Sequence, residues 1–278
     1  MQYCDLHTHS DHSDGTCTPT QVIALAKQAG LKAVALCDHN TVSGLPEFLA
    51  AARDIEAIPG TEFSTDYRGT ELHILGLYIK PEHYAAVTAR AHQYLIDKEQ
   101  SNIQLCKALT EAGWPLDYEQ IKAATADGFV NRAVIGAEMV RLGYVDSVQQ
   151  AFKTRLSEKH GFYKPPVRPV AFEVIRFIKS IGAVAVLAHP FLNLSREELE
   201  AFLPPAVQAG LDAMEVLYSK YSPEETAASY ELVQKYNLLP SGGSDFHGEN
   251  KPDIAVGVGR GELKIPFAWA EKIKMKKI

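Results

Sequence analysis

The sequence predicts an α/β barrel that is interrupted by a helical insertion. Short apolar runs alternate with amphipathic helical patterns in the first and last parts of the chain, whereas a central stretch contains helical patterns and no strand. The length of 278 residues suits one such barrel or about two smaller domains. The composition, 46% hydrophobic and 22% charged, is typical of a globular chain and argues against a disordered one.

Seven apolar runs are predicted to be strands, and several are continuous enough to be buried on both faces of a parallel sheet. They are Tyr3–His9, Lys32–Cys37, Ala57–Phe63, Leu72–Ile79, Ala183–Ala188, Ala213–Tyr218 and Leu238–Ser241. Two of the intervening helices have readable starts. Thr18 and Ser222 are each followed by a proline and, three residues on, by Gln21 or Glu225, which is the pattern of a capping box.

The stretch 80–160 is predicted to be a helical insertion, with helices at His83–Ala112, Asn131–Leu142 and Asp146–Leu156. Strand-like runs resume near Ala183, after a helical pattern at Ala171–Ile181. The predicted domain organisation is therefore a first barrel part over 1–79, the insertion over 80–160 and a second barrel part over 161–278.

Charge and cysteine usage narrow the functional classes. A formal net charge of −6 argues against non-specific binding of duplex DNA, because proteins that bind it usually have a basic surface. The four cysteines form no CxxC pair, so we expect reduced thiols. The N-terminus lacks a signal-peptide pattern and no apolar run is long enough to span a membrane, so we expect a cytoplasmic protein without a membrane partner.

Histidines and carboxylates recur at or near the ends of the predicted strands. Residues two apart in a strand face the same side, so His7 and His9 should converge on one point. Barrels of this class place their functional residues at the carboxyl ends of the strands. The candidate metal-binding residues are His7, His9, Asp14, His39, Glu62, His73, His189, Asp245 and His247.

Imidazole and carboxylate are donor types that suit Zn, Mn or Fe without a thiolate. Nine such side chains exceed the needs of one tetrahedral ion and suit two or three ions that share a bridging carboxylate. Centres of this kind serve phosphoryl transfer and hydrolysis. A single histidine on an apolar strand, such as His73, could equally be a hydrogen-bonded core residue. The recurrence of these side chains at successive strand ends favours a metal centre.

The ordered motifs DLHTHSxxSDG, CDHN, GTE, LHILG, AHP and GSDFHG resemble those of the polymerase-and-histidinol-phosphatase (PHP) family of metal-dependent phosphoesterases. Within the family, the chain resembles the branch that includes 3′,5′-nucleoside bisphosphate phosphatases and 5′-to-3′ exoribonucleases, which carry a helical insertion after the LHILG strand. The resemblance implies a distorted (β/α)7 barrel with a helical insertion domain. It also implies a trinuclear metal centre.

The resemblance distributes the candidate ligands among three ions. The implied ligands of the first ion are His7, His9, Glu62 and Asp245. Those of the second are Glu62, which bridges the two ions, together with His73 and His189. Those of the third are Asp14, His39 and His247. The expected cofactors are two to three divalent ions of Mn, Fe or Zn.

Other residues are given roles around this centre. Asp38 has no ligand position and is expected either to orient a ligand or to cap the end of its strand. Asp38 and His39 are the candidate catalytic residues, and either this pair or a metal-bound water could protonate the leaving group. Arg132, Lys159 and Lys164 are candidates for binding the substrate phosphate, and Arg132 could instead be a surface arginine at a helix start.

The resemblance implies hydrolysis of a phosphomonoester of a nucleotide or short oligonucleotide, of the 3′,5′-bisphosphate type, through a hydroxide that bridges metal ions. The expected partner is a small phosphorylated substrate, a nucleotide or short RNA, and not duplex DNA. One alternative is a phosphatase for histidinol phosphate or another small phosphomonoester. The other is a non-catalytic PHP module that stabilises a partner. Oligomeric state, metal identity and the substrate within these classes stay open.

Overall fold

The computed structural model describes residues 2–125 and 130–277 of the chain. Two compact units are present, one formed by Met1–Ala89 with Arg168–Ile278 and the other by Arg90–Val167. The domain boundaries that the sequence predicts, between residues 79 and 80 and between residues 160 and 161, stay a prediction.

The first unit contains, within the described ranges, one sheet of eight strands in the order β7-β6-β5-β4-β3-β2-β1-β8. The sheet nearly closes on itself, because the backbone of β1 also bonds to the segment after β7: Asp245 N donates to His7 O and His9 N donates to Phe246 O, each at 2.9 Å. This is a distorted barrel with an insertion, as the sequence predicts. The strands are β1 (Tyr3–Thr8), β2 (Ala33–Leu36), β3 (Glu56–Tyr67), β4 (Thr70–Leu77), β5 (Val184–Ala188), β6 (Ala213–Tyr218), β7 (Leu239–Gly243) and β8 (Ile265–Pro266).

The expectation of a parallel sheet is wrong for β4, and β8 is a strand that the sequence analysis did not predict. Strand β4 runs antiparallel to both β3 and β5, and the short β8 runs antiparallel to β1. The physical reason is the connection between β3 and β4, which consists of Arg68 and Gly69 with φ of 54° and 86°. Such a two-residue turn joins antiparallel strands, whereas a parallel pair needs a crossover of about a dozen residues or more.

The helices flank the sheet or build the second unit. Both predicted capping boxes, at Thr18 and Ser222, are confirmed. The helix predicted over Asp146–Leu156 is present but starts at Val148, where the Ser147 side chain accepts from Gln150 N, and it continues from Phe152 to Leu156 as a π-helical turn. The helices are α1 (Pro19–Gln28), α2 (Leu45–Ala51), α3 (Tyr84–Glu111), α4 (Tyr118–Ala123), α5 (Arg132–Arg141), α6 (Val148–Ala151), α7 (Ala171–Ser180), α8 (Arg196–Ala209), α9 (Pro223–Lys235) and α10 (Phe267–Lys274).

The alternation of side chains along the strands produces two cores in the first unit. One face of the strands, with residues such as Leu6, Ile58 and Val186, forms an inner cluster that also includes Ile273 of α10. The other face packs against α1, α2 and α7–α9. The second unit has its own cluster, which joins residues of α3, α4 and α5. None of the helices in the described ranges has the length and apolar character needed to cross a membrane.

Candidate metal centre

Glu62 of β3 lies at the centre of the imidazole cluster and is only 1% exposed. One carboxylate oxygen, Oε2, is 3.2 Å from Nε2 of both His7 and His9 and 3.3 Å from Nε2 of His39. The other oxygen, Oε1, is 2.8 Å from His73 Nδ1 and 3.0 Å from His189 Nε2. These contacts bring together histidines that follow or lie on four different strands around a single carboxylate. Those strands are β1, β2, β4 and β5.

The antiparallel β4 contributes its histidine from the strand interior. His73 pairs with Ser64 of β3 on one side and with Ala188, the last residue of β5, on the other. Because β4 runs in the opposite direction, the early part of this strand meets the carboxyl ends of its neighbours. The sequence expectation that His73 belongs with the strand-end residues therefore agrees with its position.

A second group of contacts surrounds Asp14, in the loop that follows β1. Its Oδ1 is 3.2 Å from His247 Nε2, and its Oδ2 is 3.7 Å from His39 Nε2. The His9 Nδ1 atom also faces Asp14 Oδ1, at 3.6 Å. His9 therefore lies between the group around Glu62 and the group around Asp14.

Asp245 completes the cluster from the segment after β7. Its Oδ1 is 3.5 Å from His9 Nε2 and 3.9 Å from His7 Nε2. The approach of this segment depends on Gly243, since a Cβ there would lie 2.1 Å from the Cβ of His7. Two residues of the cluster have positive φ without being glycine, His189 at 27° and Asp245 at 57°. Backbone strain of this kind persists where the surrounding structure enforces it, and it is common at functional sites.

The charges in the cluster are strongly coupled. Burial raises the pKa of a carboxyl group, yet the histidines around Glu62 hold its pKa well below the usual value. Burial lowers the pKa of His39 to about 3, against the attraction of Glu62 and Asp14. His73 differs, because burial opposes its charge but Glu62 raises its pKa to about 10.

The donor set fits metal ions. His7 Nε2 and His9 Nε2 are 3.0 Å apart and face the same Glu62 oxygen. So many nitrogen and oxygen lone pairs converging in a buried volume are costly unless protons or cations lie among them. Three sets of side chains have ligand atoms close enough together to hold an ion: His9, Asp14, His39 and His247; His7, His9 and Glu62; and His39, Glu62 and His73.

A family model for the PHP domain matches residues 5–159, which is more than half of the chain. The chain is also 33% identical over 249 residues to a 5′-3′ exoribonuclease of Haemophilus influenzae, an alignment that covers 87% of this chain and 89% of the relative. The chain belongs to the PHP family of metal-dependent phosphoesterases.

Two further comparisons agree with this assignment. A 3′,5′-nucleoside bisphosphate phosphatase of Chromobacterium violaceum is 28% identical over 260 residues, covering 91% of each chain. The solved structure of a Bifidobacterium adolescentis protein described as a metal-dependent phosphoesterase superposes with a TM-score of 0.88 and 26% identity. That superposition covers 100% of this chain and 97% of the other. The PHP phosphoesterase described here is therefore an enzyme of the hydrolase class.

Asp38 does not join any of the three ligand sets of this PHP protein. Its carboxylate instead accepts hydrogen bonds from Ser10 N at 2.8 Å, Ser10 Oγ at 2.6 Å and Ser13 Oγ at 2.7 Å. These bonds hold the loop that ends at Asp14. The local geometry thus connects Asp38 to the placement of Asp14.

The three residues predicted to bind substrate phosphate lie in the second unit. Arg132, at the start of α5, is half-buried, with its guanidinium 4.1 Å from the centre of the Tyr163 ring and with a hydrogen bond to Leu156 O at 3.3 Å. Within residues 2–125 and 130–277, no carboxylate forms an ion pair with this guanidinium. Lys159 and Lys164 are exposed.

Sequence reasoning missed three residues that contact the predicted ligands. Tyr218 and Lys251 donate to Asp245 Oδ2 at 2.7 and 2.6 Å. Glu215 contacts His7 from inside β6. The sequence does carry a signal for Glu215, because it is the one charged residue within the apolar strand Ala213–Tyr218. Nothing in the local sequence marks Lys251.

Proposed function

We propose that this PHP phosphoesterase binds two or three divalent ions and hydrolyses a phosphomonoester of a nucleotide or short oligonucleotide, of the 3′,5′-bisphosphate type. The observation that carries the proposal is the position of Glu62, whose two carboxylate oxygens contact five imidazoles. A carboxylate in this position can bridge two ions. Multi-metal centres of that type favour displacement at phosphorus.

The contacts agree with the division of ligands that the family resemblance implies except at His39, whose Nε2 also lies 3.3 Å from Glu62 Oε2. Glu62 Oε2 faces His7 and His9, which we assign to the first ion together with Asp245. Glu62 Oε1 faces His73 and His189, which we assign to the second ion. We assign the group around Asp14, with His39 and His247, to the third ion. His9 faces this third group as well as the first.

The metal is Mn, Fe or Zn in this proposal, because all nine donors are imidazoles or carboxylates. When bound, such ions polarise phosphoryl oxygens and activate a water nucleophile. The protein supplies three carboxylates, Asp14, Glu62 and Asp245, to offset the positive charge. The low pKa of His39 keeps its imidazole neutral at pH 7, which is the form that binds a metal.

Asp38 acts in this proposal by holding the loop that carries Asp14. Its three hydrogen-bond donors are contributed by Ser10 and Ser13. A charged acceptor makes such bonds shorter and stronger than neutral ones. The role of Asp38 with His39 in protonating the leaving group stays a prediction.

Arg132 is the strongest candidate in the second unit for binding a phosphate. Its guanidinium is oriented by the Tyr163 ring and the Leu156 carbonyl, and it lacks a carboxylate partner among the described residues. A planar guanidinium in this state retains N–H donors for a bidentate contact. Lys159 and Lys164 offer point charges only.

The relatives support a nucleotide or short RNA as substrate, since one is named a 5′-3′ exoribonuclease and another a 3′,5′-nucleoside bisphosphate phosphatase. The test is a phosphate-release panel in Mn²⁺ with a 3′,5′-bisphosphate, a mononucleotide, histidinol phosphate and a short RNA. We expect the highest kcat/KM with the 3′,5′-bisphosphate or the RNA. A preference for histidinol phosphate contradicts the proposed substrate, and no hydrolysis of any of them favours a non-catalytic module.

A further inference from the structure

Glu215 is a fully buried carboxylate that belongs to none of the proposed ligand sets. It lies in β6, with 0% of its surface exposed, among apolar neighbours such as Met214 and Val216. A charge in this position requires partners, because burying an unpaired carboxylate is strongly unfavourable. Both of its oxygens have such a partner, and both partners belong to proposed metal ligands.

The first partner is the His7 ring. Glu215 Oε1 is 3.0 Å from His7 Nδ1. A carboxylate accepts hydrogen bonds, so this contact places the ring proton of His7 on Nδ1. The Nε2 atom then keeps its lone pair, and it is this atom that faces Glu62 Oε2 at 3.2 Å. Glu215 thus selects the tautomer and the ring orientation that a metal ligand needs.

The second partner is the backbone of His189. Glu215 Oε2 accepts a hydrogen bond from His189 N at 2.7 Å. His189 has a φ of 27°, a conformation that an L residue adopts only when neighbouring groups enforce it. From this backbone position the His189 ring reaches Glu62 Oε1 through Nε2 at 3.0 Å and stacks on the His7 ring at 5.6 Å.

We infer that Glu215 is a positioning residue that orients His7 and His189 together and thereby sets the metal affinity of the centre. The inference rests on the proposed ligand roles of these two histidines, which we assign to different ions. One side chain therefore links the geometry of both ions. Glu215 acts through the ligands and does not itself bind the ions.

Two substitutions separate the contributions of the carboxylate. Glu215→Ala removes both acceptors. Glu215→Gln keeps the volume and one acceptor oxygen but presents an NH₂ group to the other contact. Either one of the two hydrogen bonds is then lost, or the amide donates to His7 Nδ1 and the ring proton moves to Nε2, the nitrogen that faces Glu62. Ser241→Ala is the matched control. Ser241 pairs with Glu215 across β6 and β7, it is equally buried, and its Oγ has no hydrogen-bond partner in the described structure.

The experiment measures Co²⁺ and Mn²⁺ affinity by chelator competition, with the visible absorption spectrum of bound Co²⁺ as a second readout. Circular dichroism first establishes that each metal-free variant is folded at the working temperature. Loss of a partner that orients a ligating histidine typically lowers metal affinity by about 10- to 100-fold. We expect the upper end of this range for Glu215→Ala, the lower end for Glu215→Gln with an altered Co²⁺ spectrum, and no change for Ser241→Ala.

Unchanged affinity and spectrum in the folded Glu215 variants would overturn the inference while leaving the metal centre intact. If the alanine variant does not fold, the glutamine variant carries the same test alone. If wild-type protein binds neither ion, the proposed metal centre itself fails, and the inference fails with it. An equal loss of affinity in Ser241→Ala also counts against the inference, because the effect would then belong to the strand pair and not to the carboxylate.

Discussion

Replacing Glu62 by glutamine removes one negative charge from the centre of the cluster and preserves the side-chain volume. The carboxylate is 1% exposed, so water cannot take its place. Five imidazole nitrogen atoms lie within 3.3 Å of its two oxygens. The amide has one acceptor oxygen, and it therefore cannot bridge two ions as a carboxylate can.

The magnitude follows from the size of the lost charge interaction. A pair of unit charges at about 4 Å interacts with about 4 kcal/mol at an effective dielectric constant of about 20. Each 1.4 kcal/mol, approximately, corresponds to a factor of about ten in a binding constant. We therefore expect Glu62→Gln to bind divalent metal about a thousandfold more weakly, with hydrolysis lost at micromolar metal.

The assay is isothermal titration of Mn²⁺ into metal-free protein, together with metal analysis of the purified variant. Glu56→Gln is the matched control, since Glu56 begins the same strand and contacts Lys274 Nζ at 2.7 Å outside the cluster. The control should retain wild-type affinity. A Glu62→Gln variant with affinity within about threefold of wild type would refute the bridging role and the electrostatic reasoning behind it.

Three further predictions address the surroundings of the cluster. Arg132→Ala should raise KM for a nucleotide substrate by about tenfold or more without changing metal content, because a hydrogen bond to a charged group contributes about 1.5–3 kcal/mol; an unchanged KM would remove Arg132 from substrate binding. Asp38→Asn should lower the free energy of unfolding in urea by about 2 kcal/mol and weaken metal binding near Asp14, since it weakens charge-assisted hydrogen bonds; unchanged values in both measurements would contradict that role. Metal affinity should rise with pH. Burial opposes protonation, yet the neighbouring carboxylates raise the pKa of His9 to about 9 and of His73 to about 10. Bound metal requires neutral imidazoles, so for each proton released on binding the metal association constant rises about tenfold per pH unit below these pKa values. Calorimetry in two buffers should detect the proton release. An affinity independent of pH between about 6.5 and 8.5 would contradict this prediction.

The fold could be predicted from the sequence where local signals are strong. Each of the seven predicted apolar runs overlaps a strand, and both capping boxes start helices. The direction of β4 was missed because apolar runs do not encode direction, although the Arg68-Gly69 turn was too short for a crossover. The strand β8 was missed because its two residues, Ile265 and Pro266, are too few to form a pattern.

The nine candidate ligands could be selected from the sequence because they recur next to strand ends, and the structure brings them together around Glu62 and Asp14. Their binding of metal stays a prediction. The supporting contacts could not be recognised in the same way. Lys251 reaches Asp245 through the loop after β7, and Tyr218 reaches it from β6. Such pairings depend on how strands are arranged in space, which a single sequence does not display.

The central claim is that hydrolysis of a nucleotide phosphomonoester depends on metal held by the Glu62 cluster. The most direct measurement titrates Mn²⁺ into chelator-treated protein and follows metal bound and phosphate released from a 3′,5′-bisphosphate in the same samples. We expect no release without metal, activity that rises as two or three equivalents bind, and neither binding nor release in His9→Ala. Full phosphate release by the metal-free protein would contradict the account.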